Sequence, residues 1–218
     1  MLIQLENIQK SYKNNPVLSG FNLNVSEGEM IAIMGRSGVG KSTLLNILAG
    51  LEKADKGKYL YKNQSIHKKN INSLATFRRD NIGFILQNYP LIDSKNVFDN
   101  IALPLKYSKV PKDIIHHKVT KILIELEIID CKDKGPTMLS GGQAQRVAIA
   151  RALIQDPELI LADEPTGSLD EESEENVMSL CEDLNNKGKT VIIVTHDREV
   201  AEKCRQIYYI KNGECVQV

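Results

Sequence analysis

Five apolar residues, Met30-Ile31-Ala32-Ile33-Met34, run straight into Gly35-Arg36-Ser37-Gly38-Val39-Gly40-Lys41-Ser42. Residues 41–48 then follow at helical spacing, stopped at Gly50. A short continuous apolar run reads as a strand buried on both faces, inside a mostly parallel sheet. The pattern G-x-x-x-x-G-K-[ST] between a strand and a helix is a phosphate-binding loop. Its glycines let the backbone wrap closely round phosphate oxygens, with amide hydrogens pointing inward. The helix starting near Lys41 adds its positive N-terminal end. Lys41 supplies a point charge for the outer phosphates, Ser42 a hydroxyl for Mg²⁺, and Thr43 a hydrogen bond to an inner phosphate. The loop therefore predicts a bound nucleoside triphosphate and magnesium ion, without naming the base or the use of the energy.

Other short apolar runs end in residues suited to that ligand. Leu159-Ile160-Leu161-Ala162 leads into Asp163-Glu164. Asp163, at the carboxyl end of a strand, can hold Mg²⁺ through water. Glu164 is then placed to polarise an attacking water. A third run, 191–194, leads through Thr195 to His196, whose neutral imidazole could contact the γ-phosphate. Ile82-Gly83-Phe84-Ile85-Leu86 leads into Gln87, whose amide can reach metal-bound water.

The rest of the chain divides into two kinds of material. Residues 2–8 alternate apolar and polar, and 17–25 repeats the pattern after an Asn14-Asn15-Pro16 turn, so both read as strands. A hairpin is expected around Tyr59 and Tyr61. From about residue 88 to 153 apolar residues mostly recur at three and four; Val119, Ile122, Leu123, Leu126 and Ile129 fit one helix face. Residues 171–184 also read as helix, and the acidic run Glu171-Glu172-Ser173-Glu174-Glu175 suits a solvated first turn. The expectation is one domain over 1–218, with a mainly helical insert of about 88–154 in an α/β core. A length of 218 residues fits that.

Composition excludes several function classes. Lys plus Arg and Asp plus Glu are both 28, so no global field favours nucleic acid or an anionic membrane, and no nucleic-acid partner is expected. Hydrophobic residues at 42% include no apolar stretch of about 18, so no transmembrane helix is expected. The N-terminus lacks the pattern of a secretory signal. The four cysteines form no C-x-x-C pair, which points to free thiols in a reducing cytosol.

A second anion site is written at Leu139-Ser140-Gly141-Gly142-Gln143, which opens a helix through Arg146, Val147, Ile149, Ala150, Arg151 and Leu153. One nucleotide rarely needs two such sites on one chain. The economical explanation is that this end binds the γ-phosphate held by a second copy, in a pair closed by twofold symmetry.

The series Tyr12, loop 35–42, Gln87, LSGGQ at 139–143, acidic strand 159–164, Ser168-Leu169-Asp170 and His196 resembles an ABC transporter ATPase along the whole chain. The resemblance implies an α/β, P-loop NTPase fold of the ABC ATPase kind, with a RecA-like core, an antiparallel β subdomain and a helical subdomain. It implies that Tyr12 stacks on the adenine of ATP. Mg²⁺ would be held by Ser42 and Gln87, with Asp163 in its outer shell. Glu164 and His196 would serve the attacking water and the γ-phosphate. Ser140, Gly141, Gly142 and Gln143 would face the other copy's ATP, and Asp170 would couple the two sites. Gln87 and the insert would meet a membrane permease, leaving the chain peripheral on the inner face of the membrane. Asn100-Ile101-Ala102-Leu103-Pro104-Leu105 and Pro165-Thr166-Gly167-Ser168-Leu169-Asp170 resemble the group serving lipoprotein release, macrolide export and antimicrobial-peptide export. Ala144 and Met138 depart from residues common around LSGGQ, and neither removes a phosphate-contacting group. The rival readings are an importer ATPase or a soluble ATPase of DNA repair or translation. The soluble rivals usually carry a long coiled coil or a duplicated unit, and neither is visible. Nucleotide kinases share the phosphate loop but have no use for LSGGQ.

Overall fold

A computed structural model describes residues 1–13, 15–167 and 170–217, with the backbone alone for Glu171 and Glu172. Asn14 of the expected turn and Ser168-Leu169 of the family series lie outside the described residues. In chain order the strands are β1 (Ile3–Tyr12), β2 (Asn15–Val25), β3 (Met30–Met34), β4 (Lys56–Tyr61), β5 (Gln64–Ser65), β6 (Ile82–Leu86), β7 (Leu159–Asp163), β8 (Thr190–Thr195), β9 (Gln206–Lys211) and β10 (Glu214–Gln217). The helices are α1 (Lys41–Leu48), α2 (Ile71–Asn81), α3 (Val97–Tyr107), α4 (Lys112–Glu125), α5 (Gly141–Leu153), α6 (Glu171–Asn186) and α7 (Arg198–Glu202).

Two sheets organise these elements. One is antiparallel, in the order β2-β1-β4-β5; the other has six strands in the order β10-β9-β3-β8-β7-β6. In the six-stranded sheet β9, β3, β8, β7 and β6 are parallel and β10 returns antiparallel. Strand β3 is buried at every position, as its unbroken apolar run requires. Successive side chains point to opposite faces. Met30, Ala32 and Met34 join a core with α3, α4 and α5, while Ile31 and Ile33 join a second core with α1 and the antiparallel sheet. The six-stranded sheet is thus the wall between two cores, and its carboxyl edge cannot shift without disturbing both.

Between β6 and β7 the described elements are helical: α3, α4, α5 and two short 3₁₀ turns. Here the expected helix face needs correction. Val119, Ile122, Leu123 and Leu126 are buried, but Ile129 sits in a 3₁₀ turn and is 36% exposed. Glu127, at φ 55°, has already turned the chain into the left-handed region and ended the helix. Helices α2 and α7 were not expected. Each buries only two apolar residues, Leu74 with Phe77 and Val200 with Ala201, too few to write a helical period. The hairpin near Tyr59 and Tyr61 is β4 and β5, turned by Lys62 and Asn63, both at positive φ.

Asn100 is the polar pin of the helical region. It sits in α3 with no exposed surface. Its side-chain oxygen accepts from the Ile92 amide at 2.8 Å, and its Nδ2 donates to the carbonyls of Ile92, Lys95 and Asn96 at 3.2, 3.1 and 3.0 Å. The irregular segment after β6 is therefore held to α3 by one amide. Asn100→Ala leaves those backbone groups without their partner, and a loss of about 2–3 kcal/mol is expected in urea unfolding. An unchanged midpoint would show that the pin is not needed.

Candidate nucleotide site

Register alone assembles the site. Leu86 pairs with Asp163, Asp163 with Val194, and Thr195 with Met34. The residues that leave the sheet next are Gln87, Glu164, His196 and Gly35, so four sequence-distant segments emerge side by side. Neighbouring strands lie about 4.8 Å apart, which brings their side chains within reach of one ligand.

The loop after Met34 turns on glycines. Gly38 has φ 77° and Gly40 φ 111°, and a Cβ on Gly40 would lie 2.7 Å from Val17 Cγ1 and 3.1 Å from the Val17 carbonyl. Only glycine meets both demands. Arg36, Ser37 and Gly38 are exposed, and the Val39 amide reaches the Arg36 carbonyl at 3.3 Å. Gly40 caps α1 without a side-chain bond, and no acid stands in the first turn. The amides of that turn therefore have no intrahelical partner. The Lys41 ammonium is nearly buried beneath the loop, donating to the carbonyls of Gly35 at 2.8 Å and Arg36 at 3.3 Å.

The acidic side of the site has two members, Asp163 and Glu164. Burial pushes the Asp163 carboxyl above the usual carboxylate range, the Glu164 charge adds to this, and a hydrogen bond from Ser42 opposes it. Glu164 adopts φ 47°, a conformation uncommon for a residue with a side chain. Its amide donates to the Val194 carbonyl at 2.8 Å, which fixes the strained position against β8. Its carboxylate receives the Thr195 hydroxyl at 3.1 Å and the His196 amide at 3.3 Å, and lies 2.9 Å from His196 Nδ1. Lys41 Nζ is 3.9 Å away. Sequence reasoning separated Glu164 and His196 by role; the structure joins them directly. It also adds Thr195, which only the strand register could have revealed.

Lys41, Asp163 and Glu164 share a cleft of about 390 Å³ with Tyr12, Val17, Ser37, Gly38, Gly40, Ser42, Thr43 and Gln87; Thr195 and His196 stand behind Glu164, outside its lining. Tyr12 stands at its rim, 45% exposed, with its hydroxyl 3.5 Å from Thr43 Oγ1. Gln87 approaches from the other side, so close to Gly167 that a Cβ there would sit 2.9 Å from Gln87 Nε2.

Ser140, Gly142, Gln143 and Asp170 line a different cleft, of about 500 Å³, which shares no residue with the first. Ser140 caps α5: its Oγ accepts the Gln143 amide at 3.2 Å, and Gln143 Oε1 accepts the Ser140 amide at 3.1 Å. Gly141 opens that helix. Asp170 caps α6 by accepting the Ser173 amide at 2.8 Å. One chain therefore carries a phosphate loop and a second glycine-rich helix start in separate clefts.

A family model described as ABC transporter matches residues 18–167, more than half of the chain. The chain belongs to the ABC transporter family. It is the family's ATP-binding, ATP-hydrolysing part, and the α/β fold agrees with that of solved ABC cassettes. It is 42% identical to an uncharacterised ABC transporter ATP-binding protein, YvrO of Bacillus subtilis (strain 168), covering 99% of this chain and 96% of YvrO. It is 43% identical to the macrolide export ATP-binding/permease protein MacB of Brucella melitensis, covering 98% of this chain but only 34% of MacB. Among solved structures, the dimeric post-hydrolysis state of the ATP-binding cassette MJ0796 bound to ADP and Pi matches with a TM-score of 0.90 at 38% identity, covering 99% of this chain and 98% of that one.

Lys41→Ala removes the ammonium that donates to the Gly35 and Arg36 carbonyls. ATP affinity, measured by titration calorimetry, is expected to fall at least about tenfold, with the melting temperature little changed. Binding as tight as in the wild type would remove Lys41 from the phosphate site.

Proposed function

We propose that this chain hydrolyses ATP as one of two identical subunits and so drives a separate membrane permease in export. The observation that carries the dimer is the separation of the two clefts. ATP held by Gly35–Ser42 of one copy has room for a second set of donors, and Ser140, Gly141, Gly142 and Gln143 of another copy would supply them. Asp170, at the start of α6 in that same cleft, would then report on the neighbouring site.

Ser42, Asp163 and Gln87 offer a hydroxyl, a carboxylate and an amide oxygen, the hard oxygen donors that suit Mg²⁺. Ser42 and Asp163 line the same cleft as Gln87, so the three donors converge on one space. When bound there, Mg²⁺ would neutralise charge on the phosphate oxygens. The chain's own groups do the rest. Lys41 exchanges its bonds to the Gly35 and Arg36 carbonyls for phosphate oxygens. Tyr12 carries the base on its ring. Glu164 leaves His196 to accept a proton from the attacking water, and His196 is freed to contact the γ-phosphate.

Among the described residues no helix is long and apolar enough to cross a membrane. The relative MacB, named an ATP-binding/permease protein, joins an ATP-binding part to a permease, and this supports a permease as the partner. The same relative and the Asn100–Leu105 and Pro165–Asp170 segments favour export of an antimicrobial, peptide or lipoprotein cargo. On this reading the chain is a single ATPase domain over 1–218, with the helical region as the permease-facing lobe. It sits on the inner face of the membrane.

Glu164→Gln keeps the shape and the hydrogen bonds but cannot take a proton. Its turnover is expected to fall by about a hundredfold or more, while ATP moves it to the dimer position in size-exclusion chromatography. Wild-type turnover in this variant would defeat the assignment of Glu164.

A further inference from the structure

Tyr12 raises a question that the phosphate loop does not answer. It is the last residue of β1, and its ring is 45% exposed. An exposed tyrosine at a strand end is free to change rotamer, and a platform that moves holds a base poorly.

The ring is not free here. Its hydroxyl donates to Glu52 Oε2 at 2.5 Å and lies 3.5 Å from Thr43 Oγ1. Thr43 is in the first turn of α1. Glu52 lies just past the end of the same helix, where its amide donates to the Asn46 carbonyl at 3.1 Å and that of Leu51 does so at 2.8 Å. Both partners of the hydroxyl thus belong to the rigid unit that carries the phosphate loop. Glu52 is itself held: Lys10 Nζ lies 2.9 Å from its Oε1, and also reaches Asp55 Oδ1 at 3.3 Å and the Lys53 carbonyl at 3.0 Å. Lys10 and Tyr12 lie two apart on one strand, on the same face. The Lys10 ammonium stands over the Tyr12 ring, 5.4 Å from its centroid, within cation–π range.

We propose that Glu52 is the residue that positions Tyr12 for base stacking, acting through the tyrosine hydroxyl, while Lys10 occupies one face of the ring and leaves the other to the base. This rests on the reading of Tyr12 as the adenine platform. The arrangement sets the distance between base and phosphate sites, because one helix anchors both. It also orients the ring before ATP arrives, so less order is lost on binding. A plain surface ion pair between Lys10 and Glu52 would leave the ring out of the account and contribute little.

The test is steady-state ATPase kinetics on the whole chain, with ADP affinity as a readout independent of turnover. Glu52→Ala is expected to raise the KM for ATP and the Kd for ADP about fivefold, with kcat within about twofold of wild type. Glu52→Gln, which keeps an acceptor for the hydroxyl, recovers most of that loss. Tyr12→Phe, which keeps the ring and removes the hydroxyl, shows a similar rise, and adding Glu52→Ala to it changes nothing further. The proposal fails if Glu52→Ala binds like the wild type, or if it costs as much in the Tyr12→Phe background as alone. Tyr12→Ala separates the two levels. If it weakens nucleotide binding and Glu52→Ala does not, only the positioning role falls; if it binds like the wild type, the platform falls as well.

Discussion

The parallel pairing of β3, β7 and β8 is the constraint on which the rest depends. Each strand is apolar on both sides because a core lies on each face of the sheet. A slip of one residue would send Ile31 and Ile33 into the space of Met30 and Ala32, and reverse the same pattern in the neighbouring strands. Register is therefore fixed by packing far from the nucleotide. Its by-product is chemical: Gln87 and Glu164 leave the sheet level with Thr195 and Met34, and His196 and Gly35 follow one residue beyond. The core does not merely support the site. It determines which residues can meet there.

The electrostatics of the edge follow from what that register brings together. Lys41 is nearly buried and satisfied by two loop carbonyls, with Glu164 3.9 Å away. Glu164 is satisfied by Thr195 and His196. Neither charge waits unpaired for a ligand, which a partly buried charge could not do cheaply. Every contact that ATP would require of these groups replaces one already present. The strained backbone of Glu164 fits the same picture. It is held by the Val194 carbonyl, and it aims the carboxylate along the strand ends instead of continuing β7.

Much of this was legible in the sequence, for physical reasons. The phosphate loop was readable because its glycines, its lysine and its flanking apolar runs are all local requirements. The buried strands were readable because burial on both faces writes an unbroken apolar run. What could not be read depends on contacts between distant residues. Ile129 continued the α4 period in sequence, yet Glu127 had already ended the helix. Asn100 looked like a mark of a subfamily, and the structure gives it four hydrogen bonds to the segment after β6. The joining of Glu164 to His196 needed the β7–β8 register, and the tie from Glu52 to Tyr12 needed β1 to lie beside the end of α1. Neither leaves a trace in any short window of residues.

The capping box at Ser140 bears on the proposal that one chain is half a site. Its hydroxyl oxygen accepts the Gln143 amide, and Gln143 returns the bond to the Ser140 amide. The N-terminus of α5 is thereby locked without help from a ligand. The Ser140 hydroxyl hydrogen remains available to donate, and the glycines behind it carry no side chain to shield the backbone. The contrast with α1 is instructive. There the cap is a glycine with no side-chain bond, and the helix start stays open within its own cleft, under a loop that wraps it. In the proposed dimer, one helix start would enclose phosphate, and the other is rigid and bare enough to be pressed against phosphate held elsewhere. In the proposed dimer, two unlike ends of this kind would complete a site by a second copy turning its α5 toward the first copy's α1.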